Sequence, residues 1–174
     1  MKGTGTPADA STLIYLTKAD VFAAAGKCVG RLLVTPSVWR EAVEAGTRRG
    51  AVEVAHIRLA EGHRLLSRIE LAKRVARRAR DMAHQYALGS GESEVLAVAE
   101  PGGRVLVDEG RATRVAESLG LVPVSTLLLP ALGAAEGKLE GTAAMELLHR
   151  LAGVTGARAD VVVRLEAVIR GEAR

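Results

Sequence analysis

Between Pro101 and Val124 the chain reads as turn, strand, helix, strand. Pro101-Gly102-Gly103 leads into Val105-Leu106-Val107, a helix is expected over Arg111 to Leu119, and Val122-Pro123-Val124 follows. Two strands separated by a whole helix need a crossover connection, so they lie parallel in one sheet with the helix across its face. Parallel sheets are covered on both sides, and the rest of the chain must therefore supply more helices and buried strands. Composition agrees: 48% of the residues are hydrophobic but only 2% are aromatic, which leaves Leu, Val and Ala to build the core. With 174 residues the chain reads as one domain able to bury a substantial core, and no repeat or second domain is visible.

The preceding segments extend the pattern. Ser11 is placed to cap a helix through Leu13, Ile14 and Leu16, and Asp20 a second through Val21, Phe22 and Ala25. Leu32-Leu33-Val34 is a short β-type run, and Pro36 suits the first turn of a helix carrying Trp39, Glu41 and Val43. Val52 to Leu59 alternates weakly, as a strand would. A long helix is expected from about His63 to Ala87, a break at Gly89-Ser90-Gly91, and a helix from Glu92 to Glu100. From about Thr142 onward the pattern is helical, with a break near Gly153 to Gly156 and Asp160 as cap of the last helix. Ser118 to Ala135 carries no charge over eighteen residues, but Gly120, Pro123, Pro130 and Gly133 interrupt it. A buried strand followed by a helix is expected there, not a membrane span. Cys28 is the single cysteine, so no intramolecular disulfide can form, and Met1 to Ala8 has no apolar run suited to a signal segment. A cytoplasmic setting is the expectation.

Acidic residues recur where these elements stop or start: Asp9, Glu41, Glu92 and Glu94, and the pair Asp108-Glu109. Carboxylates at the carboxyl ends of parallel strands can converge on the ligand-binding edge of the sheet. Several converging carboxylates suit hard divalent cations, which prefer oxygen ligands. The same residues also serve as helix caps and first-turn acids favoured by the helix dipole. Glu92 and Glu94 would lie about 200° apart on a helix, so they cannot both face one site. His56, His63, His84 and His149 show no ligand spacing with each other or with Cys28, which argues against zinc.

Positive charge is concentrated between Arg64 and Arg80. Arg64, Arg68, Lys73, Arg74, Arg77, Arg78 and Arg80 face a single acid, Glu70, for a local charge of +6 in a chain whose net charge is +4. Such a concentration is what phosphate contacts require, although a solvated helix face has the same composition. Leu65, Ile69, Ala72, Ala76, Ala79, Ala83 and Tyr86 form a narrow seam of mostly small residues, suited to close packing against another helix, within the chain or across a dimer.

Four stretches, taken in order, resemble the motif blocks of PIN-domain nucleases. They are Asp9-Ala10-Ser11-Thr12-Leu13, Val34-Thr35-Pro36-Ser37-Val38-Trp39-Arg40-Glu41, Gly91-Glu92-Ser93-Glu94-Val95-Leu96-Ala97 and Leu106-Val107-Asp108-Glu109-Gly110-Arg111. The resemblance runs from about Ala8 to Pro130. It implies a three-layer α/β sandwich with a parallel central sheet, followed here by a helical extension over about 141–170. It implies Asp9, Glu41, Glu92 and Asp108 as ligands of magnesium or manganese, with Ser11 steadying Asp9 and with Glu94 and Glu109 as alternatives to their neighbours. It further implies hydrolysis of RNA, held by Arg68, Lys73, Arg74, Arg77 and Arg78. The VapC-like members are similar to toxins of toxin–antitoxin pairs, so an antitoxin partner and a homodimer are expected, with no membrane. A non-catalytic RNA- or partner-binding module using the basic stretch is the rival reading, against which the presence of all four acids argues. One departure stands out: Lys2-Gly3-Thr4-Gly5-Thr6-Pro7, ahead of Asp9, is polar and holds a proline, whereas a central strand is apolar. A short first strand is therefore expected.

Overall fold

The computed structural model describes residues 5–172; Met1 to Thr4, with half of the polar segment Lys2 to Pro7, lie outside the described residues. The sheet is parallel throughout. β1 (Thr6–Pro7) pairs with β2 (Leu32–Val34), which pairs with β3 (Leu66–Arg68), and β4 (Arg104–Leu106) pairs with β5 (Val122–Val124). A single parallel bridge, Ala8 to Leu106, joins the two sets into the order β3-β2-β1-β4-β5.

Pro7 explains why that join is so narrow. In a parallel strand alternate N–H groups point to opposite neighbours, and Thr6 and Ala8 donate to Arg31 and Leu33 on the β2 side. Pro7 should donate to β4 but has no N–H, so the first bond across the junction is from Asp9 N–H to Leu106 O, at 3.0 Å. The first strand is short, as expected, and it is nonetheless central.

Helices cover both faces. α1 (Ala10–Lys18), α2 (Phe22–Val29) and α5 (Glu53–Gly62) pack together on one side, and α6 (Lys73–Tyr86), α7 (Ser90–Val98) and α8 (Gly110–Ser118) on the other. Between β2 and α5 runs one interrupted helix: α3 (Pro36–Trp39), a π turn over Arg40–Glu44, and α4 (Ala45–Arg48). α9 (Leu129–Ala135), α10 (Gly141–Thr155) and α11 (Ala159–Ile169) form the helical extension, anchored by Ala144, Leu147, Leu148 and Leu151 of α10. Among the described residues no helix is long and apolar enough to cross a membrane. Leu13, Leu16, Leu32, Ile57, Leu66, Leu96 and Leu106 are buried, as a core poor in aromatics requires.

Several local expectations are corrected. The expected strand over Val52 to Leu59 is helix α5: its buried residues Val54, Ile57 and Ala60 recur every third position, a helical face, while Val52 and Leu59 point outward. The expected long helix from His63 is broken at Arg64, whose φ of 59° ends helical continuation, and Leu66–Arg68 is recruited as β3 by pairing with β2. The helix proper begins at Lys73, so Arg64 and Arg68 are not on it, and of the small-residue seam only Ala76, Ala79, Ala83 and Tyr86 belong to α6. α6 packs against α7 within the chain. Caps differ too. Asp9 caps α1 in place of Ser11, Val21 precedes α2 without a side-chain cap, and Arg158 precedes α11 with Asp160 inside its first turn.

A strand would put residues 57 and 59 on one face; a helix separates them. Ile57→Ala should cost about 2–5 kcal/mol of unfolding free energy. Leu59→Ala should change it by no more than about 0.5 kcal/mol. Urea denaturation of the two variants decides, and equal losses would contradict the helix.

Candidate functional site

The sheet runs β1, β2, β3 to one side and then crosses to β4 and β5 on the other, so its order reverses between β1 and β4. At such a switch point the loops leaving the carboxyl ends of adjacent strands part and open a crevice. Asp9 follows β1 there and Asp108 follows β4.

Asp9 is only 4% exposed. Its Oδ1 accepts from Thr12 N–H at 2.7 Å, capping α1, and its Oδ2 accepts from Asp108 N–H at 3.3 Å. Asp108 is half-buried; its Oδ1 accepts from Thr126 N–H at 2.8 Å, and its Oδ2 from the hydroxyls of Thr126 at 2.5 Å and Thr12 at 3.3 Å. The Thr12 and Thr126 hydroxyls lie 3.1 Å apart and both residues are fully buried. Burial, and then the charge of Asp108, push the Asp9 carboxyl up to about 6 against the opposing pull of its hydrogen bonds. A buried carboxylate beside a second one is an arrangement that a cation would relieve.

A second acidic group surrounds the start of α7. Glu41, on the π turn, accepts at Oε1 from Gly91 N–H at 3.2 Å, using the positive end of the helix dipole. Gly91 must be glycine for this approach, because a Cβ there would lie 2.8 Å from Glu41 Oε2. Desolvation raises the Glu41 carboxyl, and the charges of Glu92 and Glu94 add to the effect. Glu92 and Glu94 turn to different partners, as their spacing on a helix demands: Glu92 accepts from Gly89 N–H at 2.8 Å, and Glu94 from Ser37 N–H at 2.8 Å and Ser37 Oγ at 2.6 Å. Arg40 completes this chain by donating to Ser37 Oγ at 2.6 Å.

The four expected acids thus stand as two groups, Asp9 with Asp108 after β1 and β4, and Glu41 with Glu92 at the start of α7. Among the described residues none of them forms an ion pair, and no group of three or more His, Cys, Asp or Glu side chains is already gathered to hold an ion. The donors are all oxygen, and each carboxylate keeps lone pairs beyond those used above, so the chemistry of the set fits a hard divalent cation. Glu109 faces away: it is exposed and caps α8, accepting from Arg111 and Ala112 N–H at 2.7 and 3.0 Å. Ser11 is exposed, and the hydroxyl set against the two aspartates is that of Thr12.

The family model DUF3368, a PIN domain, matches residues 8–168. The chain belongs to the PIN-domain family. No curated protein and no solved structure matches it significantly. The PIN fold is of nuclease type, its nucleases generally act on nucleic acid, and they typically use divalent metal ions. In this PIN domain the basic helix lies beside the second acidic group: Ala76, Ala79, Arg80 and Ala83 of α6 and Ser90, Ser93 and Glu94 of α7 line one pocket of about 250 Å³. Lys73, Arg74, Arg77 and Arg78 are exposed on α6, and Arg68 lies at the end of β3. Sequence reasoning assigned no role to Thr12, Thr126, Thr35 or Arg40. The available signal was positional: Thr35 and Ser125-Thr126 directly follow β2 and β5, at the same edge as Asp9 and Asp108.

The raised carboxyl of Asp9 has a consequence for stability without metal. A folded-state value near 6, above the usual carboxylate range, means that the protonated form is favoured by folding, so its contribution is complete at low pH and lost as pH rises. In chelator, unfolding free energy should fall between about pH 4 and 6 by on the order of 3 kcal/mol. Asp9→Asn should remove that slope. Denaturation curves of both proteins over this range provide the check; parallel profiles would show that Asp9 titrates normally.

Proposed function

We propose that this PIN domain is a magnesium- or manganese-dependent endoribonuclease in which Asp9, Glu41, Glu92 and Asp108 hold the metal. The observation that carries the reading is the pairing of buried Asp9 with half-buried Asp108 at the reversal point of a parallel sheet, both carboxylates held by hydrogen bonds and neither by an ion pair. A divalent cation bound at such acids supplies positive charge to the scissile phosphate and to its attacking and leaving oxygens. The chain's own part is positional. Thr12 and Thr126 fix the Asp108 carboxylate through its Oδ2, the first turn of α1 fixes Asp9, and the start of α7 fixes Glu41. Lys73, Arg74, Arg77 and Arg78 hold the phosphate backbone of the RNA and Arg68 contacts the same RNA, with Glu94 and Glu109 acting as structural caps. Resemblance to the VapC-like group supports a role as the toxin of a toxin–antitoxin pair, working as a homodimer with a cognate antitoxin in the cytoplasm.

Two measurements test this. Asp9→Asn and Asp108→Asn should fold yet lose RNA cleavage by at least about 100-fold, and wild-type cleavage should stop in EDTA and return with magnesium or manganese. Cleavage that persists in chelator, or a fully active Asp9→Asn protein, would refute the mechanism. Replacing Arg74, Arg77 and Arg78 by Ala should weaken RNA binding across sequences and flatten its salt dependence, the slope falling by roughly 0.7 per lost phosphate contact. An unchanged slope would remove these side chains from the RNA path.

A further inference from the structure

Next to the acids, at the carboxyl ends of β2 and β3, lies a pocket of about 180 Å³ lined by Thr35, Trp39, Arg40, Glu44, Arg68 and Glu70. One of the lining residues carries an anomaly. Thr35 is fully buried, yet its Oγ1 has no hydrogen-bond partner, and Thr35 is the only described residue whose buried side-chain polar atom is left so. A buried hydroxyl without a partner carries a desolvation penalty that a ligand donor or acceptor would recover.

The wall is prepared for a flat group. The Arg68 guanidinium lies over the Trp39 ring, 4.5 Å from its centroid, and Arg58 approaches the same ring at 5.7 Å. Trp39 is only 4% exposed, so it serves as backing, and Arg68 on β3 presents the outer plane. Arg40 is held by its bond to Ser37 Oγ, itself bound to Glu94, and Arg40 and Glu44 are the two ends of the π turn that also carries Glu41. Such turns interrupt regular helices at functional sites more often than elsewhere.

The charges decide the class of ligand. Two guanidinium groups and two carboxylates leave the lining without net charge, and Glu44 and Glu70 would repel a phosphate. A neutral planar group with donors and acceptors on its edge is accommodated by the same lining. We propose that this pocket takes one unstacked nucleobase of the RNA, its ring on the Arg68 plane and its edge bonded to the Thr35 hydroxyl. Recognition of splayed single-stranded bases by stacking on arginine planes and by edge hydrogen bonds is the general mode for sequence-sensitive RNA binding. The pocket then gives base preference to a site whose other contacts read only phosphates. The identity of the polymer rests on the ribonuclease reading above.

Trp39 is the single tryptophan, so its fluorescence reports on this pocket. The protein is titrated in chelator with a single-stranded tetraribonucleotide and with a sugar–phosphate tetramer of equal charge lacking all bases. The base-bearing oligonucleotide should give a saturable change in Trp39 emission and the abasic one should bind at least about tenfold more weakly. Thr35→Val, which deletes only the hydroxyl, should weaken binding about 2- to 10-fold. Arg68→Lys, which keeps the charge and loses the plane, should abolish the emission change. Equal binding of the abasic tetramer, an undiminished response in Arg68→Lys, or no response to either oligonucleotide overturns the proposal. Cleavage is not read in this experiment. Base-dependent binding by a chain that cuts no RNA would sink the nuclease reading alone, and cutting without base dependence would sink the base pocket alone.

Discussion

Asp9 helps to join the two halves of this sheet and carries one of its acids at the junction. The Asp9 N–H makes the bond to Leu106 that joins β1 to β4, and its carboxylate both starts α1 and accepts from the Asp108 backbone. Pro7, by lacking an N–H, removes the neighbouring ladder bond that would have shared this task. The distance between the two aspartates is therefore set by main chain, not by flexible side chains. Asp9 itself is almost fully enclosed, and burial dominates the behaviour of its carboxyl.

The fold could be read from the sequence where local pattern and tertiary demand coincide. β4, α8 and β5 were visible because buried strands and an amphipathic helix with clear turn residues follow each other closely, and Pro36 marked the start of α3. Where tertiary pairing overrides local preference the sequence misled. Leu66-Ser67-Arg68 has no strand signature of its own and becomes β3 only because β2 offers it an open edge. In α5 the alternation of Val52, Val54, Ile57 and Leu59 mixed buried and exposed apolar residues, and hydrophobicity alone cannot separate the two sets.

The acids stood out in the sequence because they fall beside the ends of expected elements. Their division of labour did not, since adjacent residues such as Asp108 and Glu109 differ only in the direction the backbone gives them: one faces Asp9, the other caps α8. The hydroxyls escaped notice for a related reason. Thr12 sits beside the more obvious Ser11, and threonine is common enough in cores and turns that only its neighbours across the fold, Thr126 and Asp108, give it meaning.

The π turn over Arg40–Glu44 amounts to one residue more than a regular helix needs. Ala45 N–H reaches back five positions to Arg40 O, and the segments on either side are thereby set out of register. Val38 and Trp39 ahead of the turn and Val43 within it can all be buried while Arg40, Glu41 and Glu44 remain turned toward solvent at the rim. A deletion of one residue here would give a better hydrogen-bonded helix and would swing every following side chain by about 100°. The extra residue thus sets an acid, Glu41, and a base, Arg40, together on a single irregular turn.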